Sequence, residues 1–132
     1  MKTHLSFKLL VTCLLSVPLL LSLGCKKEDT PARDKFLGSY NVNDVCDSGN
    51  WNYSSTITAS SGNEDAIIIG NFGDFGVNVR AIVSDANINF NDTQDGINFS
   101  GSGNLSGNTL SIIYTASEAG LTDNCTATCI KQ

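Results

Sequence analysis

The stretch Phe75-Gly76-Val77-Asn78-Val79-Arg80-Ala81-Ile82-Val83 decides the fold of this chain. Its odd-numbered positions are all apolar, and Gly76, Asn78, Arg80 and Ile82 lie between them. An alternation with a period of two residues is typical of a strand with one buried face and one face in water. We therefore predict a β-strand that buries Phe75 with the other odd-numbered side chains and places Arg80 in solvent.

The same alternation continues on both sides of this stretch and predicts seven further short strands. Turn signals rich in Gly, Asn, Asp and Ser return about every 8–12 residues, which is the spacing of an all-β sandwich or barrel. No segment repeats apolar residues at helical spacing over three turns. Residues 66–72 are apolar on both faces. The apolar positions of the other strands are Phe36, Gly38, Tyr40 and Val42; Trp51, Tyr53 and Ile57; Ile88 and Phe90; Ile97, Phe99 and Leu105; Leu110, Ile112 and Tyr114; Cys125, Ala127 and Cys129.

We predict that residues 36–132 form one domain, a small antiparallel up-and-down meander of about eight strands that closes into a barrel. Closure removes both edges of the sheet. A barrel of this size is either filled by side chains or holds one small ligand. Gly101 and Gly103, on inward positions of the sixth strand, fit either a sharp bend at a barrel corner or a close backbone contact.

Residues 1–24 have the pattern of a secretory signal peptide. Lys2 and Lys8 form a basic start, a mostly apolar run ends at Leu23, and the small residue Gly24 follows. The run is shorter than the roughly 20 residues that a transmembrane helix needs. We therefore expect this segment to be removed on export.

Cys25 stands where the apolar run ends. Leu21-Ser22-Leu23-Gly24-Cys25 resembles the bacterial lipobox, in which the cysteine is acylated and becomes the new N-terminus. We expect a lipid on Cys25 and a flexible tether over residues 25–35. Lys27-Glu28-Asp29 is either a solvated charged linker or, as it resembles, the signal of surface-exposed lipoproteins of Bacteroidota. The expected location is the bacterial outer membrane, with the domain either exposed at the cell surface or facing the periplasm.

Composition excludes several classes of function. The formal net charge is −5, and an acidic surface repels phosphate backbones, so we expect no nucleic-acid partner. The one histidine, His4, lies in the predicted signal. The mature chain therefore has no imidazole for a catalytic triad or a typical zinc site, and we predict no enzyme activity, no cofactor and no metal site.

Two stretches carry a resemblance to a known fold family. Phe36-Leu37-Gly38-Ser39-Tyr40 resembles the opening strand of calycins, the lipocalin and fatty-acid-binding barrels. The run from Phe99 to Tyr114 and the ending Cys125-Thr-Ala-Thr-Cys129-Ile-Lys-Gln132 are similar to small lipocalin-like lipoproteins of Bacteroidota. The resemblance implies a lipocalin-like barrel and brings no activity with it.

Three cysteines remain in the predicted domain: Cys46, Cys125 and Cys129. Cys125 and Cys129 would lie about 13 Å apart on one strand, too far for a disulfide. Cys46 ends the first predicted strand and Cys125 begins the last, so closure brings both to one rim. We predict a Cys46–Cys125 disulfide and a free Cys129 opposite Val42. A metal site built from the three thiols is the rival interpretation.

Other candidate sites have two interpretations each. Residues 91–96, Asn-Asp-Thr-Gln-Asp-Gly, offer oxygen ligands for calcium or form an ordinary turn. Trp51 and Tyr53 form either a stacking platform or part of the core, which is the commoner role of aromatic residues at alternating strand positions. For a ligand inside the barrel, the predicted lining residues are Tyr40, Tyr53, Phe99 and Tyr114.

These observations favour a membrane-anchored, non-enzymatic module that binds a small apolar ligand or an envelope partner. The alternative is a structural or inhibitory envelope protein with a filled barrel that contacts another protein through its loops. A cavity of about 300 Å³ or more inside the barrel would favour the first, and a packed interior the second. An enzyme that uses Asp44 and Asp47 ranks third, because ordinary turns also select these residues.

Overall fold

The computed structural model describes Gly24 and residues 29–132 of the 132-residue chain. The predicted signal peptide, apart from Gly24, lies outside the described residues, as do Cys25, Lys27 and Glu28. A short 3₁₀ helix, η1 (Ala32–Phe36), precedes the strands. They are β1 (Gly38–Cys46), β2 (Gly49–Ala59), β3 (Ala66–Phe72), β4 (Val77–Ser84), β5 (Asn87–Gln94), β6 (Ile97–Ser106), β7 (Thr109–Glu118) and β8 (Leu121–Lys131).

The strands form one closed up-and-down barrel, as predicted. Each strand pairs antiparallel with the next, and β1 pairs with β8 to close the sheet. In this closing pair Cys46 lies opposite Cys125 and Val42 lies opposite Cys129, which confirms the predicted register. Cys125 does not begin the last strand, however, because β8 starts at Leu121 and extends beyond the β1 pairing.

The barrel has two ends, which we name by what covers them. The closed end carries η1 and the loop of residues 60–65. The open end carries the turns after β1, β3, β5 and β7, at residues 47–48, 73–76, 95–96 and 119–120. Within the part of the chain that the structure describes, no helix is both long and apolar enough to cross a membrane.

The closed end includes the last residues of the predicted tether, residues 25–35. Residues 32–35 lie in η1, which packs on the barrel, and Phe36 at its end is fully buried. Arg33 Nη1 donates to the carbonyl oxygens of Ser60 at 2.9 Å, Asn63 at 2.5 Å and Ala66 at 3.4 Å. The carbonyls of Asn63 and Ala66 also accept backbone hydrogen bonds, from Ala66 N and Ser60 N, so Arg33 adds a side-chain bond between η1 and this loop.

The interior is packed with aromatic and aliphatic side chains. The ring of Phe72 lies at its centre and makes edge contacts with Phe90, Phe99 and Tyr114, with centroids 4.7–5.4 Å apart. Gly101 leaves room for this packing, since a Cβ there would lie 2.4 Å from the Ile113 carbonyl oxygen and 2.6 Å from Tyr114 Cβ. Of its two predicted roles, Gly101 therefore makes the close contact with its neighbouring strand.

The hairpin of β3 and β4 has the shortest backbone pairing with its neighbours. Paired residues run only over 57–59 of β2 against 67–69 of β3, and over 82–84 of β4 against 87–89 of β5. Towards the open end, side chains bridge the strands instead: Ser55 Oγ donates to Gly70 O at 2.7 Å, and Arg80 N donates to Asp92 Oδ2 at 2.9 Å. The tip of this hairpin therefore depends on side-chain bonds.

Some predicted positions differ in the structure. Phe75 does not enter β4, because residues 73–76 form the turn and β4 starts at Val77. Trp51 lies on the inward side of β2 but near its start, away from the residues that pair with β3, and it is 37% exposed rather than core. Of residues 91–96, the first four extend β5 and only Asp95 and Gly96 turn, which confirms the turn and leaves no separate loop. Arg80 is exposed, as predicted.

Candidate ligand site at the open end of the barrel

A partly enclosed cavity of about 280 Å³ lies at the open end, between the β1–β2 turn and the β3–β4 turn. We call it the mouth cavity. The disulfide and the Tyr114 side chain contribute to its wall, together with two further aromatic residues and two carboxylates. Its lining residues are Cys46, Ser48, Trp51, Gly73, Asp74, Phe75, Tyr114, Ala116, Asp123 and Cys125.

A shallower depression of about 440 Å³ continues from the mouth cavity, and we call it the outer groove. The two share Ser48, Phe75, Ala116 and Asp123, so they form one continuous surface. The outer groove adds Asp47, Ile97, Glu118, Leu121 and Thr122 to that surface. Exposed apolar groups thus lie beside carboxylates across the whole open end.

Phe75 stands between the packed interior and solvent. Its ring is 5.6 Å from the ring of Phe99 inside the barrel, yet the side chain is 52% exposed. The turn allows this position because Gly73, at φ 63°, has no Cβ; one there would lie 2.8 Å from the Phe75 ring and 3.1 Å from Tyr114 Oη. The aromatic wall of the cavity therefore depends on a glycine at position 73.

Charge at the open end has a single sign. Among the described residues, the four turns and their flanks contain Asp47, Asp74, Asp95, Glu118 and Asp123. The basic side chains described by the structure lie elsewhere: Arg33 and Lys35 in η1, Lys131 at the end of β8 beside Lys35, and Arg80 within β4. The single ion pair found among these residues joins Arg33 to Asp34 at 3.9 Å.

The carboxylates of the cavity accept hydrogen bonds from neutral groups. Asp123 accepts hydrogen bonds from Ser48 N at 3.1 Å and from Ser48 Oγ. Asp74 Oδ1 accepts from Asn71 Nδ2 at 3.3 Å. None of the described basic side chains forms an ion pair with these carboxylates, which line the cavity beside solvent and any bound ligand.

Beneath the cavity lies a buried carboxylate, Asp44, which is 1% exposed. Its Oδ2 accepts hydrogen bonds from Tyr114 Oη at 2.5 Å and from Tyr53 Oη at 3.2 Å. Tyr53 Oη in turn accepts from Gly73 N at 3.1 Å. This cluster joins β1, β2 and β7 to the turn that carries Phe75.

Burial governs the pKa values of this cluster. Desolvation raises the pKa of Asp44, against the lowering effect of the bonds from Tyr114 and Tyr53, and the charge of Asp123 adds to the increase. Burial, followed by Asp44, raises the pKa of both tyrosines far above 10. They therefore remain neutral donors to Asp44 over the physiological range.

The four predicted ligand-lining residues are not brought together around one cavity. Tyr40, Phe99 and Tyr114 are buried in the core, and Tyr40 Oη donates to Phe36 O at 2.7 Å at the closed end. Burial raises the pKa of Tyr40 to about 12. Tyr53 is half-buried beside Asp44. Tyr114 alone among the four lines the mouth cavity.

The cysteines are arranged as predicted. Cys46 and Cys125 form a disulfide with Cα atoms 4.0 Å apart, and Cys129 is free and buried. Desolvation raises the pKa of Cys129 to about 12. The Asp44 carboxylate and the sulfurs of Cys46 and Cys125 lie within 4.8 Å of one another. Those sulfurs are bonded to each other, so they are not thiolate ligands for a metal.

Sequence reasoning did not assign Asp44, Phe75 or Leu121 to a ligand site. Asp44 shares the inward parity of Tyr40 and Val42, and the alternation alone would have placed its carboxylate inside the barrel. Phe75 and Leu121 give no such signal, because their exposure depends on where the turns fall. No protein-family model matches this chain, and no curated protein is significantly similar to it.

Proposed function

We propose that this protein is a membrane-anchored, non-enzymatic binding module of the bacterial envelope that holds its ligand at the open end of the barrel. The observation that carries the proposal is the mouth cavity with its exposed Trp51 and Phe75. Contiguous apolar surface beside a cavity marks binding sites on otherwise polar proteins.

The position of the proposed anchor supports this assignment. The chain enters the barrel at η1, on the closed end. A lipid on Cys25 would be separated from Ala32 by a segment that spans at most about 25 Å when extended. The closed end would therefore face the membrane, and the mouth cavity would face away from it.

Native mass spectrometry of protein purified from its own host tests the proposal. We expect a retained small molecule that dissociates on activation, and a Phe75→Ser variant that retains less of it. A wild-type protein that carries no adduct, and whose Trp51 fluorescence does not respond to hydrophobic probes, would contradict it.

The packed interior favours a second candidate, a filled barrel that contacts another envelope protein through its loops. Inside the barrel the Phe72 ring packs against the rings of Phe90, Phe99 and Tyr114. A stable complex with an envelope protein, lost in the Phe75→Ser variant and free of any small-molecule adduct, would favour this candidate over the first.

The proposed lipid anchor has its own test. Metabolic labelling with a fatty-acid analogue should mark the wild type and leave Cys25→Ser unlabelled. Equal labelling of the two proteins would refute the anchor without affecting the proposed binding site.

A further inference from the structure

We infer that the ligand of the mouth cavity is an organic cation, an ammonium ion that carries apolar groups. The inference rests on the proposed function and adds to it the chemistry of the ligand. It follows from three features that coincide at the open end: aromatic rings, uncompensated carboxylates and a cavity of limited size.

Aromatic rings provide the first feature. Trp51, Phe75 and Tyr114 all line the same cavity of about 280 Å³. An aromatic face attracts a cation through its quadrupole, and tryptophan does so most strongly. An indole and a phenyl ring that both remain partly exposed are available for this contact.

The carboxylates provide the second feature. Asp74 and Asp123 line the cavity, and their hydrogen-bond donors are the neutral side chains of Asn71 and Ser48 and the Ser48 backbone. An anionic ligand would meet two negative charges, and none of the described basic side chains lines the cavity. A neutral apolar ligand would gain burial but would leave those charges uncompensated.

The size of the cavity provides the third feature. At about 280 Å³ it lies just below the range of about 300–1,000 Å³ that is usual for ligand clefts. It suits a short alkylammonium group better than a long acyl chain. The outer groove continues the apolar and acidic surface, so part of a larger ligand can extend along it.

The experiment uses Trp51, the only tryptophan of the chain, as the reporter. Its fluorescence is titrated with hexyltrimethylammonium, hexanol and hexanoate, which share one chain and differ in charge. We expect hexyltrimethylammonium to bind at least about tenfold more tightly than hexanol, since cation–π contact and two carboxylates both favour it. Hexanoate should bind most weakly. Of the three probes, only hexyltrimethylammonium should bind more weakly when salt is added.

Matched variants locate the effect. Asp74 adopts a left-handed backbone conformation at φ 64°, which asparagine also tolerates, so Asp74→Asn removes the charge and preserves the turn. It should weaken ammonium binding about fivefold. Asp85→Asn is the control, because Asp85 has a similar φ of 52° in a turn at the closed end.

The outcomes separate the two proposals. If hexanol binds as tightly as the ammonium ion, or if Asp74→Asn and Asp85→Asn behave alike, the cation inference is wrong and the binding site still stands. If none of the three probes changes Trp51 fluorescence, the inference is also wrong, and native mass spectrometry decides the proposed function separately.

Discussion

At the closed end, Arg33 donates to three loop carbonyls and Phe36 is fully buried; at the open end, Trp51, Phe75 and Leu121 keep large apolar surfaces in water. Both ends belong to the same short barrel and are bounded by similar turns. Ile113 and Ile130 are also exposed, but on the outer face of the sheet, so the contrast concerns the residues that close or leave open the two ends. At the closed end, η1 covers the apolar interior of the barrel. At the open end, apolar surface remains that a bound ligand can cover.

The largest expected effect concerns the disulfide, which joins β1 to β8 beside the mouth cavity. Cys46 and Cys125 are separated by 79 residues, and closing a loop of that length stabilises a fold by about 4–5 kcal/mol in the chain-entropy model. A Cys46→Ala, Cys125→Ala double variant should lose about 2–5 kcal/mol of unfolding free energy in urea.

Cys129→Ala is the control for this comparison, since it removes a buried thiol and leaves the disulfide intact. We expect it to cost about 1 kcal/mol. Peptide mapping without reductant should recover Cys46 linked to Cys125. Equal losses for the two variants, or a cross-link to Cys129, would show that the seam at the open end does not depend on this bond.

A smaller effect should come from the closed end. Arg33→Ala removes the side-chain donor to the carbonyls of Ser60, Asn63 and Ala66, and hydrogen bonds from a charged group contribute about 1.5–3 kcal/mol. We expect a loss of about 2–3 kcal/mol in urea unfolding. Lys35→Ala, which changes an exposed basic residue of the same helix, should lose less than about 0.5 kcal/mol.

Ligand binding by the Arg33→Ala variant tests whether the closed end affects the mouth cavity. If the two ends are independent, Arg33→Ala should lower stability and leave Trp51 fluorescence and hexyltrimethylammonium binding as in the wild type. A large loss of binding in the folded Arg33→Ala protein would mean that the closed end shapes the mouth cavity.

The next effect depends on pH and arises from Asp44. Because burial raises its folded-state pKa, the folded state binds more protons than the unfolded state above the ordinary aspartate pKa of about 3.9. Stability should therefore fall as pH rises from about 4 to the raised value. Asp44→Asn lacks this slope, so its stability relative to the wild type should increase from pH 4 towards pH 7.

Tyr114→Phe tests the cause of that slope. The 2.5 Å hydrogen bond from Tyr114 to Asp44 Oδ2 lowers the pKa of Asp44, so its removal should raise that pKa further. The loss of stability with rising pH should therefore become larger. Thermal unfolding of the three proteins at several pH values measures both effects. Parallel pH profiles for the wild type and Asp44→Asn would show that Asp44 does not titrate abnormally in the folded state.

Much of the fold could be predicted from the sequence, because strand alternation and turn spacing are local signals. The register of β1 against β8 also followed, since closure of an up-and-down barrel leaves few choices for Cys46 and Cys125. Strand alternation did not predict η1, because this helix is anchored by hydrogen bonds from Arg33 to carbonyl oxygens about 30 residues away in the chain. These groups come together only in the folded protein. Alternation also misplaced Phe75, because the turn after β3 covers residues 73–76 and the strand therefore starts at Val77 rather than at Phe75.

The candidate site was less predictable than the fold. Tyr40 and Phe99 have the same pattern whether they line a cavity or fill it, and only packing around Phe72 separates these cases. The mouth cavity combines residues from two turns and from β1, β2, β7 and β8, and no periodicity in the sequence connects them.

The most direct test of the central claim is hydrogen exchange with and without hexyltrimethylammonium, followed by mass spectrometry. If the ligand binds at the open end, protection should increase in peptides that cover residues 47–51, 72–77 and 116–123. Peptides over residues 32–36 and 60–66, at the closed end, should exchange as before. Protection confined to the closed end, or to the interior around Phe90 and Tyr40, would contradict the assignment of the site.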